Sequence, residues 1–146
     1  MTAPVFVDTN VFIYYLDQTN PNKFHASRVW LAELWKSRRG RVSFQVLQEL
    51  YSTGSRKWPL LVTEIKAEMR DLLDWDPVIM NAEILESSWK IQERYQLSFW
   101  DSLIVAAAKA ASCAYLLTED MQAGQDLDGV LVVNPFRRDP AEILST

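Results

Sequence analysis

Apolar residues along this chain fall into short unbroken runs and longer stretches with helical spacing, and the two kinds alternate. Val5-Phe6-Val7 is the first run, β-branched and aromatic with no charge before Asp8, and it predicts a buried strand. Val11 to Leu16 is again apolar, and Asp8 or Asn10 can cap the short helix it predicts through Tyr15. His25 to Arg38 has helical periodicity, with Val29, Trp30, Leu34 and Trp35 within reach of one face and Gly40 as a stop. Arg41-Val42-Ser43 predicts a short strand, and Ser43 caps a helix over Phe44–Thr53 that Gly54 ends. Pro59 to Leu73 predicts another helix, carried by Leu61, Ile65, Met69 and Leu72. Trp75 to Met80 reads as a short edge strand, since Pro77 has no N–H to give a ladder. Asn81 caps a helix to Tyr95, and Ser98 with Asp101 fits a capping box opening the most apolar helix. Ala114 to Thr118 predicts a strand, Glu119 to Gly129 a loop, and Val130 to Asn134 a last strand closed by Pro135.

Strands alternating with helices over long connections predict an α/β domain whose parallel sheet is covered on both faces. At 146 residues the chain is expected to be a single domain, 1–146, large enough to need no staples. Six prolines, four glycines and no repeat argue against linkers or low-complexity segments. The single cysteine, Cys113, excludes an intramolecular disulfide and sits in apolar sequence, as a small core residue would. The start of the chain has no basic leader region, and its richest apolar run, Leu103 to Ala111, is short and broken by Lys109, so a cytoplasmic location is expected.

Net charge is −4, which argues against holding nucleic acid by bulk charge alone. The basic residues cluster at Lys36–Arg41, Arg56-Lys57 and Arg137-Arg138. Solvated surface explains each, and the first also places positive charge at a helix C-terminus. Phosphate contact is the alternative.

The acids are more informative. In open parallel sheets, sites gather at the carboxyl ends of strands. Asp8 ends the first predicted strand, Glu119 and Asp120 follow Ala114–Thr118, Asp101 lies in the first turn of the helix leading there, and Glu49 flanks the apolar stripe of its helix. Four acids, Asp8, Glu49, Asp101 and Asp120, can therefore converge on one rim from distant segments. Plainer roles exist for each: helix cap for Asp8, capping box for Asp101, turn for Asp120, exposed helix face for Glu49. None of these explains why Asp8 is embedded in apolar sequence. Two carboxylates ~4 Å apart repel by about 4 kcal/mol at an effective dielectric of 20, so a converging set calls for a cation. All-oxygen ligands without His or Cys select Mg²⁺ or Mn²⁺ over Zn²⁺. The one histidine, His25, stands at the predicted helix start with no ligand partner at useful spacing. Mg²⁺ held by a few carboxylates suits phosphodiester hydrolysis and lets an acidic protein accept an anionic substrate. Walker-A, GxGxxG and Ser-His-Asp patterns are absent from the sequence.

At these residues the sequence resembles PIN-domain ribonucleases, especially VapC-type toxins of toxin–antitoxin pairs. The motifs are VFVDTNVFIYYLD, SFQVLQELY, LSFWDSLIVAAA, LLTEDMQAGQ and VVNPF, in this order over nearly the whole chain. The resemblance implies a three-layer α/β/α domain with a central parallel sheet of about five strands. It implies a Mg²⁺- or Mn²⁺-dependent endoribonuclease with RNA as substrate, a homodimer, and an antitoxin partner. By motif match, Asp8, Glu49, Asp101 and Asp120 would be the acidic centre, Thr9 and Asn10 would shape the strand end, and Thr118 would support Asp120. Glu119 should point elsewhere if strand alternation persists there. Of the six tryptophans, Trp30, Trp35 and Trp58 lie in the first-half helices; core packing explains most of the six, and a few exposed aromatics would make an interface anchor.

Two other classes compete. A non-catalytic RNA- or protein-binding module would keep the acids for folding or contact and show no metal-dependent cleavage. A phosphatase or receiver-like protein using Asp8 as nucleophile lacks the second aspartate in Asp8-Thr9-Asn10 and a lysine after the last strand before Pro135.

Overall fold

The computed structural model describes residues 3–145. Its first strand, β1 (Val5–Val7), is buried at all three positions, as an uncharged β-branched and aromatic run requires. Helix α1 (Thr9–Leu16) follows at once, then α2 (Pro21–Ser37), β2 (Gly40–Arg41), α3 (Phe44–Lys57), α4 (Val62–Leu72), α5 (Ala82–Tyr95) and α6 (Phe99–Ala110). Strand β3 (Tyr115–Leu117), a hairpin of β4 (Asp126–Leu127) and β5 (Val130–Val133), and α7 (Pro140–Leu144) complete the chain.

The sheet has five strands in the order β2-β1-β3-β5-β4. The first four are parallel, with Val5 opposite Gly40 and Tyr115, and Tyr115 opposite Leu131. The chain steps outward from β1 to β2 and returns across β1 to β3. Right-handed crossovers in opposite directions put their helices on opposite faces of the sheet. Helix α1 packs on α2 and α3, while α6 lies on β3 and β5 and carries α5. The core is formed by β1, β3 and β5 with Phe12, Trp30, Leu34, Leu50, Ile91 and the buried stretch Leu103–Ala108 of α6.

Four sequence expectations need correction. The fifth strand is antiparallel β4, inside the segment expected to be a loop, while Trp75–Met80 gives only a 3-10 turn (Leu73–Trp75) and an isolated bridge from Val78 to Ser43. Asp128 and Gly129, with φ of 55° and 95°, make the tight reversal that pairs β4 with β5. Helix α2 starts at Pro21, capped by Asn20, so His25 is within the helix and exposed. Gly54 does not stop α3: it is buried in the helix, where a Cβ would come within 3.0 Å of Ile65 Cδ1, so its smallness serves close packing of α3 against α4. Trp30 packs in the core, as expected of most of the tryptophans, and donates to the Pro135 and Arg138 carbonyls; Trp89 and Trp100 are the exposed ones. Cys113 is buried, and burial pushes its thiol up to about 12. Arg39 of the Lys36–Arg41 cluster is also buried, spending its guanidinium on the carbonyls of Ala3 and Leu144 near the two ends of the chain.

The hairpin is stapled to α5 and α6 by Asp128, whose carboxylate accepts from Tyr95 Oη and Arg94 at 2.7 Å and from Lys109 at 3.2 Å. Hydrogen bonding from Tyr95, with Lys109 and Arg94 behind it, holds the carboxyl down at about 2. A depressed carboxyl stabilises the fold above its unfolded value and loses that stability as pH falls through the folded value. Asp128→Asn keeps the left-handed turn but removes the charge. It is expected to cost about 1 kcal/mol at neutral pH, with its deficit against the parent closing between about pH 4 and 2. Urea unfolding of both proteins across that range checks it, and a deficit that persists at pH 2 would remove the charge explanation.

Candidate functional site

The carboxyl ends of β1 and β3 meet because Val7 stands opposite Leu117, and the Asp8 N–H continues the ladder to Leu117 O at 3.0 Å. Asp8 therefore lies beside Thr118 at the point where β1 turns into α1. Its extended backbone makes it the N-cap residue of α1, and its Oδ1 accepts the Thr9 N–H at 2.7 Å. Thr118, wholly buried, donates its hydroxyl to Asp8 Oδ2 at 2.9 Å. Only 6 % of Asp8 is exposed. Burial pushes its carboxyl up to about 7 despite the Thr9 and Thr118 hydrogen bonds, and Asp120 and Glu49 add like-charge repulsion.

Asn10, one residue into α1, joins the acids. Its amide nitrogen reaches Thr118 Oγ1 and Asp120 Oδ2 at 3.0 Å and Asp8 Oδ2 at 3.4 Å. Its carbonyl oxygen Oδ1 is buried without a hydrogen-bond partner. Thr118 Oγ1 also accepts the Asp120 N–H at 3.1 Å, which fixes the chain as it leaves β3. Glu49 comes in from α3, with Thr9 Oγ1 at 3.4 Å from one oxygen and Gln45 Nε2 at 2.9 Å from the other. Asp101 is in the first turn of α6. Ser98 accepts its backbone N–H at 3.1 Å, but no return bond from the Asp101 carboxylate to the Ser98 backbone forms, so the carboxylate is not used up in a capping box. Burial raises Asp101 above the ordinary carboxylate value; the Ser98 hydroxyl opposes this and Asp120 adds to it.

Hydrogen bonds thus tie Asp8, Thr9, Asn10, Glu49, Thr118 and Asp120 into one network, and Asp101 faces it closely enough to feel Asp120. Among the described residues, no three Asp, Glu, His or Cys side chains close into a finished metal cage. The oxygen set nevertheless suits a hard divalent cation: a desolvated carboxyl raised by neighbouring acids, further carboxylates around it, and an unpartnered buried amide oxygen.

Glu119 lies beyond the end of β3, so strand alternation does not set its direction, and its carboxylate is engaged outside the acidic cluster. It pairs with Lys23 of α2 at 2.6 Å, which lifts the Lys23 ammonium above its ordinary value. That ammonium also lies 4.6 Å from the ring centre of Tyr14 and 5.2 Å from that of Phe136. Sequence reading missed Lys23, Tyr14 and Gln45. The spacing of Gln45 to Glu49, one helical turn, was a readable signal; the 96 residues between Lys23 and Glu119 left none.

A five-stranded, mostly parallel sheet flanked by helices, with acids at the carboxyl ends of neighbouring strands, places the chain among open α/β domains. The model of the PIN domain family matches residues 5–124, and the chain belongs to that family, whose members are generally nucleases that use divalent metal ions. Among solved structures, it is similar to a chain of a toxin–antitoxin complex from Klebsiella pneumoniae. The TM-score is 0.63 at 20% identity, over 90% of this chain and 97% of that one. No curated protein sequence matches it. No helix among the described residues is long and apolar enough to cross a membrane.

Proposed function

We propose that this protein is a Mg²⁺- or Mn²⁺-dependent endoribonuclease and the toxin of a toxin–antitoxin pair, working in the cytoplasm as a single-domain chain. The observation that carries the reading is Asp8: a buried carboxyl at about 7, held by Thr9 and Thr118 and pressed by Asp120 and Glu49. Such a group is costly to keep charged without a cation, and a fold that retains it has a use for one. Asp8, Asp101 and Asp120 would hold the ion, with Glu49 as a further ligand, directly or through water, or as the group that activates the attacking water. When bound, the ion polarises a phosphoryl oxygen and makes water a better nucleophile. Asn10 and Thr118 keep Asp8 and Asp120 in place, and Gln45 orients Glu49. In-line attack on phosphorus would leave a 5′-phosphate product.

An antitoxin partner is supported by the toxin–antitoxin neighbour and by an apolar groove lined by Phe44, Val78, Ile79, Met80, Phe99 and Trp100. The groove includes Gln45, the hydrogen-bond partner of Glu49, so an apolar segment seated there could bring a basic side chain to the acids. Exposed Trp89, outside that groove, is a candidate anchor for a homodimer. A second reading, a non-catalytic RNA- or protein-binding module, draws on the lack of a finished cage among the described residues.

Cleavage of a mixed cellular RNA pool separates the two. With Mg²⁺ or Mn²⁺ the purified protein is expected to give discrete cuts, with EDTA none. Asp101→Asn, prepared identically, is expected to be at least about 100-fold slower while keeping its folded circular dichroism spectrum. Cuts at the parental rate in the variant would reject the assignment of Asp101. Absence of cuts from folded parent in either metal would favour the binding module.

A further inference from the structure

The acidic rim has one cation built into its flank. Lys23 lies in the first turn of α2, yet its ammonium is held by residues from three other places: Glu119 after β3, Tyr14 on α1 and Phe136 after β5. All three belong to the end of the sheet that carries the acids. Tyr14 follows Asn10 by about one turn on the same face of α1, a rise of about 6 Å over four residues, and Asn10 touches both Asp8 and Asp120. Glu119 is the residue before Asp120. The two rings meet edge to face with centres 5.2 Å apart, forming an apolar seat under the ammonium. Of the three ammonium hydrogens, one goes to Glu119 at 2.6 Å and one toward Tyr14 Oη at 3.4 Å. The Lys23 side chain remains 31% exposed, so the third has an open side.

We propose that Lys23, seated on Tyr14 and Phe136 and gripped by Glu119, is the subsite for one backbone phosphate of the RNA strand beside the acidic centre. This inference rests on the ribonuclease reading above. Glu119 has two effects on the subsite. It keeps the ammonium from swinging onto Asp120, where it would compete for the carboxylates, and it offsets part of the charge offered to the phosphate. A net charge of −4 makes a localised cation of this kind necessary, because the surface as a whole repels a polyanion. Exposed Arg137 follows Phe136 directly, while Arg138 is paired with Glu142 at 2.7 Å.

A structural staple and a phosphate subsite predict different signs. If the pair only braces α2 against the loop after β3, removing either partner lowers stability and disturbs the site in the same direction. If Lys23 receives a phosphate, losing Lys23 weakens RNA binding and losing Glu119 strengthens it. The experiment is fluorescence anisotropy of a labelled, short, single-stranded oligoribonucleotide in EDTA, over a series of salt concentrations. It compares the full chain with Lys23→Gln and Glu119→Gln. Arg94→Gln is the charge-matched control, since Arg94 pairs with the hairpin at the amino end of β5, away from the acids. Lys23→Gln is expected to bind about fivefold more weakly, with the slope of log affinity against log salt shallower by about 0.7. Glu119→Gln is expected to bind more tightly than the parent, and Arg94→Gln within about twofold of it. Parental affinity and slope in Lys23→Gln would overturn the proposal, as would weakened binding in both variants in step with a lowered unfolding temperature. If the parent binds RNA but fails to cut it with Mg²⁺, the nuclease reading falls while the slopes still decide the subsite. If the parent binds no RNA in EDTA at any salt concentration, the subsite proposal is wrong, and the cleavage assay with Mg²⁺ or Mn²⁺ alone judges the nuclease reading.

Discussion

Asp8→Asn is expected to abolish RNA cleavage, by about 1,000-fold or more, and at the same time to remove a pH-dependent instability of the metal-free protein. The direction of the second effect follows from the raised carboxyl. Asp8 titrates at about 7 in the fold against an ordinary 3.8. Folding therefore favours its protonated form. The associated stability is fully present below about pH 4 and is lost as pH rises through about 7, a change of at most about 4 kcal/mol. In EDTA, the parent is expected to lose unfolding free energy between about pH 4 and 8, and the variant to lack that component. Some of the gain is offset, because an Asn amide cannot accept from both the Thr9 N–H and the Thr118 hydroxyl as the carboxylate does. Mg²⁺ is expected to raise the parent's unfolding temperature at pH 8 and to leave the variant's nearly unchanged, since only a ligand that binds the native state stabilises it. Thermal unfolding with and without Mg²⁺, alongside the cleavage assay, gives every readout. Equal Mg²⁺ stabilisation of the two proteins, or parental cleavage by Asp8→Asn, would sink the assignment.

The largest purely structural effect is expected at Gly40. A Cβ there would lie 2.5 Å from Trp75 Cζ2 and Cζ3, and against Cη2 as well. The indole cannot swing aside. Its ring centre is 5.0 Å from that of Trp35 and 6.1 Å from that of Phe12, and Trp75 is buried. Gly40 cannot retreat either, because β2 is paired with β1 through Val5 and Gly40. Gly40→Ala should therefore cost about 3 kcal/mol, or roughly 10 °C in unfolding temperature for a chain of this size. In a Trp75→Leu background the same substitution should cost at least about 1 kcal/mol less, a coupling that identifies the clash as the cause. A loss under about 0.5 kcal/mol in the parent background would show that β2 adjusts freely. A related consequence concerns the site: Val42 and Ser43 lead from β2 into α3, which carries Glu49, so a displaced β2 should also slow cleavage.

Local pattern was enough to read most of the frame. Val5-Phe6-Val7, Tyr115–Leu117 and Val130–Val133 are short uncharged apolar runs, and each is a buried or half-buried strand of the parallel sheet. Ser43, Asn81 and Ser98 cap the helices their positions suggested, because an N-cap needs only a side-chain oxygen three residues before an orphan N–H. The candidate acids could be named for a similar reason. Asp8 follows a strand and Asp120 stands shortly after another, and in a parallel sheet those ends share one rim.

Tertiary contacts decided the rest. Gly54 carries the same local stop signal whether or not Ile65 lies against it, so the sequence pattern could not reveal that the helix continues. Pairing of β4 with β5 depends on two left-handed residues and a carboxylate clasped by Arg94, Tyr95 and Lys109, partners brought from other elements. The meeting of Asn10 with Asp120, the pressure of Asp120 on Asp8 and the capture of Lys23 by Glu119 all join positions about 100 residues apart. Residue type and spacing along the chain specify which backbone a segment prefers and which chemistry it carries. Burial, charge coupling and the direction of a side chain depend on what the folded sheet places opposite it, so the desolvation of Asp8 and the seating of Lys23 exist only in the assembled fold.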